Sequence, residues 1–282
     1  MTTRPLVLGA VAYDPKVVTI WDGFRSWLRE HGLAVDHVLY PHYERMVDDL
    51  VAGRLDLAWN SPLAWLRAGR LAAATGRSVR PLVMRDTDRD LTSVVVVRDA
   101  AGITTIADLA GKLVATGAID SPQATLIPLA HLAERGVKVQ AHRFDVGVGL
   151  HGDHIGGERE AARALVDGEV DAAAMLDANH LLFVKEGVLP AGHTRVIAQT
   201  EPYDHCNMTV VDTAPRAAVD RFAALLLGMS YADPRVRHLL DLEGLTRWES
   251  GRTDGYQVLS AAVDRCGFYG PDGELWMPAY HP

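Results

Sequence analysis

The chain is expected to be an α/β protein of two similar lobes, each a βαβαβ sheet with helices on both faces and a cleft between the lobes. Strand-like apolar runs alternate with amphipathic helical patterns along most of the 282 residues, which is the signature of largely parallel sheets. The same order of elements occurs twice. At 48% hydrophobic residues, the chain can bury a core in each lobe without covalent staples.

The repeat is legible in three matched blocks. "AVAYDP" (10–15) is echoed by "TGAIDSP" (116–122), each an apolar strand running into a polar residue and a proline suited to a first helical turn. "WLREHGLAVDHVLY" (27–40) is echoed by "HLAERGVKVQAHRF" (131–144), a helix end, a glycine stop and a new strand. "LVAGRLDLAW" (50–59) is echoed by "LVDGEVDAAA" (165–174), with extra length in the second copy at "VGVGLHGDHIGG" (146–157). The expected division is a first lobe over 1–90, a second over 91–200 beginning near "LTSVVVVRD", and a return to the first lobe over 201–282. Beyond 200 the pattern gives a strand at "NMTVVD" (207–212), a helix from Pro215 to Met229 and a helical, aromatic tail. The cleft would lie at the carboxyl ends of the strands, where open α/β sheets place ligands.

Composition narrows the function classes. A formal charge of −8, with no Lys/Arg cluster, excludes a phosphate-backbone partner. No apolar run approaches the ~20 residues of a membrane span, so membrane insertion is not expected. Two cysteines without a CxxC pair give no disulfide framework. "MTTRP" runs straight into the first strand with no hydrophobic leader and cleavage site, favouring the cytoplasm, or the periplasm or outside if a leader has been removed.

Candidate cleft residues follow from the strand ends. Ser61-Pro62 and Ser121-Pro122 each place a capping hydroxyl before a helix whose free N–H groups attract oxyanions. Tyr13 and Asp14 end the first strand, where the tyrosine could close over a ligand and the aspartate cap a helix. Trp59 and Trp65 read more readily as core. "GLHGDHIGGERE" (149–160) joins glycines to His154 and Glu158, and "LDANHLL" supplies Asp177, Asn179 and His180. In "YDHCNMT" (203–209), a straight strand would point His205 and Asn207 one way and Cys206 the other. A bend at Asp204 would instead expose Cys206 as a nucleophile or metal ligand, which needs a base or cation to lower its pKa.

"DLAWNSPLAW", "TIADLAGKLVATG" with "DSPQATLIPLAHL", and "GDHIGGEREAARALVDGEVDAAAMLDANH" resemble the type II periplasmic solute-binding proteins, in particular their phosphate/phosphonate branch. The resemblance implies a two-lobed binding-protein fold whose second lobe wraps an oxyanion with a hydroxyl-rich turn. Here that turn is Ser121-Pro122-Gln123-Ala124-Thr125, keeping one serine and replacing two hydroxyls. It also implies ligand roles for His154 and Asp177.

Three functions are consistent with this reading. The first is a module that closes over a small anionic ligand (phosphonate, phosphate, sulfonate or carboxylate), held by Tyr13, Asp14, Asn60, Ser61, Ser121, Gln123, Thr125, His154, Asp177 and Asn207, with an ABC-type permease as partner if exported. The second is a cytoplasmic enzyme on the same scaffold, a lyase or metal-dependent biosynthetic enzyme. It would use Cys206, His205 and His180 as catalytic groups, with iron or zinc held by His154, Glu158, His180 and His205. The third is a cytoplasmic ligand sensor.

Overall fold

A computed structural model describes residues 4–145 and 154–281. The first lobe is built from β1 (Leu6–Val11), α1 (Lys16–Glu30), β2 (Val35–Tyr40), α2 (Tyr43–Val51), β3 (Leu57–Asn60), α3 (Pro62–Ala74) and β4 (Val79–Arg85). The second comprises β5 (Ser93–Arg98), β6 (Leu113–Thr116), α4 (Ile127–Glu134), β7 (Gln140–Arg143), α5 (His154–Asp167), β8 (Ala172–Leu176), α6 (Asp177–Lys185) and β9 (Thr194–Gln199). A π-helical turn over Pro122–Leu126 leads into α4. The chain then returns through β10 (Asn207–Val211), α7 (Arg216–Leu227), α8 (Pro234–Glu243), β11 (Trp248–Ser250) and α9 (Gln257–Cys266).

The two sheets run β11-β4-β10-β3-β1-β2 and β7-β6-β8-β5-β9. In each, one strand lies between two parallel partners: β1 between β2 and β3, and β6 between β7 and β8. The repeated blocks therefore fold as the repeated βαβαβ unit. Matched helices stop at matched glycines, Gly32 and Gly136, whose φ values of 78° and 75° are left-handed. Each sheet is extended by a crossover strand of opposite direction, β10 against β3 and β5 against β8.

The apolar pattern accounts for the layers. On one face of the first sheet, Trp21, Phe24, Trp59 and Trp248 pack edge-on or tilted, with centroids 5.7–6.2 Å apart; Met46, Leu50 and Ala68 fill the other face. In "SVVVVR", Val94 and Val96 face one cluster and Val95 and Val97 another, as a strand covered on both sides requires.

The lobes are joined by two chain crossings, 86–92 outward and 200–206 back. They run side by side, and Leu91 and Tyr203 exchange backbone N–H···O bonds of 2.8 Å. The aromatic segment after α9 packs between the lobes. Arg67 donates to the Gly273 carbonyl at 3.0 Å and Arg70 to the Tyr269 carbonyl at 2.9 Å on the α3 side. Phe268, Tyr269 and Tyr280 share a buried cluster with Leu63 of α3 and with Leu126, Ile127 and Ala130 of the second lobe.

Candidate functional site

The carboxyl ends of β1, β2, β3 and β4 and the start of β10 lie on one edge of the first sheet. Tyr13, 61% exposed, follows β1, and Asp14 caps α1 by accepting from the Lys16 N–H at 2.7 Å. Tyr43 opens α2. Burial pushes the Tyr43 hydroxyl well above its usual pKa, reinforced by Cys206, Tyr13 and Glu243 and opposed by Arg85.

Arg85, at the end of β4, organises the charged groups at this edge. Its guanidinium lies 5.4 Å from the Trp59 ring centroid and grips Asp88 through Nε–Oδ2 (2.5 Å) and Nη2–Oδ1 (2.8 Å). It also donates to the Glu243 carbonyl at 2.8 Å. Burial opposes ionisation of Asp88, but Arg85 and then His205 outweigh it and hold the carboxyl down at about 2. Glu243, whose Oε1 is 3.5 Å from Arg85, goes the other way, to about 7, because burial outweighs the arginine and Asp88 adds repulsion. The arginine is thus already matched by carboxylates and leaves little positive charge for a ligand anion.

The stretch 204–206 bends. The His205 N–H donates to the Asp88 carbonyl at 2.8 Å and the Cys206 N–H to Asp88 Oδ1 at 3.2 Å. These bonds turn both side chains to one place, His205 Nδ1 lying 3.2 Å from Cys206 Sγ and 3.5 Å from Asp88 Oδ1. The alternation expected of a straight strand does not hold: His205 meets Cys206, while Asn207 turns into the core. Asn207, fully buried, donates to the Tyr256 hydroxyl at 2.9 Å and accepts from Thr209 at 2.8 Å, and Asn60 donates to the same threonine at 2.8 Å. These bonds make Asn60 and Asn207 braces of the β3–β10 pair. Ser61 caps α3, accepting from the Ala64 N–H at 3.2 Å, and Trp59 and Trp65 are core.

In the second lobe the π-helical turn is buried throughout. Ser121 accepts from the Ala124 N–H at 3.1 Å, and the Thr125 hydroxyl donates back to the Ala118 carbonyl at 2.7 Å, so both hydroxyls serve the turn itself. Gln123 is buried with Oε1 lacking a hydrogen-bond partner among the described residues, as are Thr116 Oγ1 and Glu158 Oε1. α5 approaches closely because residue 157 is glycine: a Cβ there would stand 2.4 Å from the Phe144 carbonyl oxygen. This approach places His154 Nε2 at 3.4 Å from Asp120 Oδ1. Most of the glycine-rich loop preceding His154, residues 146–153, lies outside the described residues.

Between the lobes stands Glu44, 9% exposed, which accepts from the Tyr280 hydroxyl at 3.3 Å and the Tyr269 hydroxyl at 3.4 Å. Burial raises both tyrosines, and Glu44 and Asp120 push in the same direction, so carboxylates of the two lobes approach one another across this segment.

The four histidine and glutamate ligands expected for a metal do not converge. Glu158 is fully buried, accepts from the Leu176 N–H at 2.9 Å and Asn179 at 2.8 Å, and has its pKa raised by burial against those bonds. His180 stands on α6, its pKa lowered by burial, and Asp177 begins the same helix. Among the described residues, the group of His, Cys, Asp or Glu ligand atoms that does converge is Asp88, His205 and Cys206, within 4.8 Å of one another. Nor is Cys206 activated: burial, then Asp88, push its thiol well above the usual value despite Arg85. The catalytic set Cys206, His205 and His180 is therefore not assembled.

Sequence reasoning missed Tyr43, Arg85, Asp88 and Glu243. The run "MRDTDRD" (84–90), dense in charge between two apolar strands, was a signal for Arg85 and Asp88. Glu243 ends a helix distant in sequence and carried none.

The comparisons with known proteins agree with this architecture. Residues 10–256 match the family described as ABC transporter, phosphonate, periplasmic substrate-binding protein. A phosphate-import protein PhnD of Mycolicibacterium smegmatis is 28% identical over 171 residues, 59% of this chain and 50% of that protein, so the chain spans about half the length of the curated relative it matches. Among solved structures, PhnD1 of Prochlorococcus marinus in complex with methylphosphonate superposes with a TM-score of 0.67 at 15% identity, over 93% of this chain and 98% of that one. XAC2383 of Xanthomonas citri bound to ATP gives 0.69 at 20% identity, with the same coverage. These likenesses establish the two-lobed type II binding-protein fold, and the family match over most of the chain shows that it belongs to the phosphonate substrate-binding proteins of ABC transporters.

Proposed function

We propose that the chain captures a small oxyanion-bearing molecule of the phosphonate, phosphate, sulfonate or carboxylate class between its lobes and presents it to an ABC-type permease. The observation that carries this reading is the pair of facing strand-end edges. One offers Tyr13 and Tyr43, the other His154 beside the π-helical turn, and two antiparallel chain crossings join them. Such a joint permits closure by small backbone rotations. Because Arg85 is matched by Asp88 and Glu243, the ligand's negative charge would be met by His154 and by backbone N–H groups of the second lobe. Thr116, Gln123 and Glu158, with their unpartnered acceptors, suit a ligand that also carries donors.

The periplasmic setting of the family is the compartment this reading adopts, in place of the cytoplasm expected from the opening residues. Among the described residues no helix is long and apolar enough to cross a membrane. The test is calorimetric titration with methylphosphonate, inorganic phosphate and ethanesulfonate. One of the three should bind, and His154→Ala should weaken it at least tenfold. No heat with any of them, or an unchanged affinity in the variant, would remove the cleft assignment.

A further inference from the structure

We propose that Asp88, His205 and Cys206 form a transition-metal site, suited to zinc, that staples the two chain crossings joining the lobes. Asp88 lies on the outward crossing and His205 and Cys206 on the returning one. A tetrahedral ion with bonds of about 2.3 Å to sulfur and about 2.0–2.2 Å to nitrogen and oxygen requires N···S and N···O separations of roughly 3.6 and 3.3 Å. The separations here are 3.2 Å for His205 Nδ1 to Cys206 Sγ and 3.5 Å for His205 Nδ1 to Asp88 Oδ1. All three ligand atoms fall within 4.8 Å of one another. The two separations from His205 Nδ1 therefore lie within a few tenths of an ångström of those an ion requires.

The surroundings are built to orient such a ligand set. Arg85 holds both Asp88 oxygens, Oδ2 through Nε and Oδ1 through Nη2, and so fixes the orientation of the carboxylate beside the histidine, as outer partners of ligating carboxylates do. Backbone bonds from His205 and Cys206 to Asp88 lock the three residues together. With a divalent ion in place and the thiol ionised, the two positive charges of the ion are balanced by Asp88 and Cys206, with Arg85 beside Glu243 at their edge. On binding, the metal–sulfur bond forms as the Sγ–H proton leaves to solvent, and the fourth position stays open to water beside the partly exposed His205. A thiolate, an imidazole and one carboxylate favour zinc over magnesium or calcium.

The experiment is titration of the chelator-treated, metal-free protein with cobalt(II) as the spectroscopic stand-in for zinc. The expected result is one equivalent bound, a thiolate-to-cobalt absorption in the near ultraviolet, displacement by zinc, and a melting temperature that rises as bound metal accumulates. The band should vanish in Cys206→Ser, weaken at least tenfold in affinity in His205→Gln, and persist in Cys266→Ser. Absence of the band in the wild-type protein would overturn the site whatever the variants do. So would a band that survives in Cys206→Ser or disappears in Cys266→Ser. Oxyanion calorimetry on the metal-free protein keeps this question separate from ligand capture.

Discussion

Arg252 grips the fully buried carboxylate of Asp204 through two bonds, Nε–Oδ2 at 2.6 Å and Nη2–Oδ1 at 2.5 Å, and reaches Asp90 at 2.6 Å with the same Nη2. Asp204 lies on the returning crossing and Asp90 on the outward one, so a single guanidinium from the C-terminal part of the chain clamps both. The fit is close: the Asp204 N–H donates to the Gly255 carbonyl at 2.8 Å, and a Cβ on that glycine would stand 2.1 Å from Asp204 Oδ2.

Removal of the guanidinium leaves a buried carboxylate without its counter-charge. Arg252→Ala is therefore expected to destabilise the protein by about 3–5 kcal/mol, the range for breaking one side of a buried pair. Arg252→Lys, which restores charge without the fork, should recover only part of that. Denaturant unfolding measures both, and a loss in Arg252→Ala below about 1 kcal/mol, typical of an exposed pair, would contradict the clamp.

Glu243 should impose an unusual pH dependence. Its pKa rises on folding from 4.5 to about 7, so the folded chain holds the proton more tightly than the unfolded one. Stability is then fullest below pH 4.5 as far as this group is concerned, and falls as pH rises through 7, by roughly 3 kcal/mol in total. Asp88 works with the opposite sign and in a lower window, its contribution being present above its unfolded value of 3.8 and lost as pH falls towards 2. Glu243→Gln should flatten the melting temperature between pH 5 and 8 and make the variant the more stable protein at pH 8. An unchanged slope would show that the dependence arises elsewhere.

The two thiols should differ in reactivity for reasons of place. Cys266 is exposed at the end of α9, while Cys206 is buried and its thiol pKa is pushed well above the usual value by burial and then by Asp88. Burial also raises Cys266, to a lesser degree. A disulfide reagent at pH 8 is expected to label Cys266 first and Cys206 only on unfolding, read by mass spectrometry of Cys266→Ser against the wild type. Rapid labelling of native Cys266→Ser would restore a reactive Cys206.

The fold was legible because βαβαβ order is written in local signals. Apolar runs of strand length, Ser-Pro or Asp-Pro helix starts and glycine stops recur in matching order, and each acts within a few residues of chain. The pairing of β1 with β2 and β3, and of β6 with β7 and β8, follows from that order. Of the candidate site residues, Tyr13 falls where a local pattern places it, just past the first strand. Asn207 and Thr125 have the right chemistry in the right stretches, but hydrogen bonds to Tyr256 and to the Ala118 carbonyl turn them inward.

What the sequence by itself determined was the two-lobed α/β architecture and the order of its elements, each a property of local pattern. Tertiary structure decided the bend at 204–206 that brings His205 to Cys206, and the meeting of Arg85, Asp88 and Glu243. Glu243 reaches Arg85 from 158 residues away, and its pKa depends on the burial found there. Such contacts and dielectric surroundings exist only once the distant segments are packed, so no window of sequence contains them.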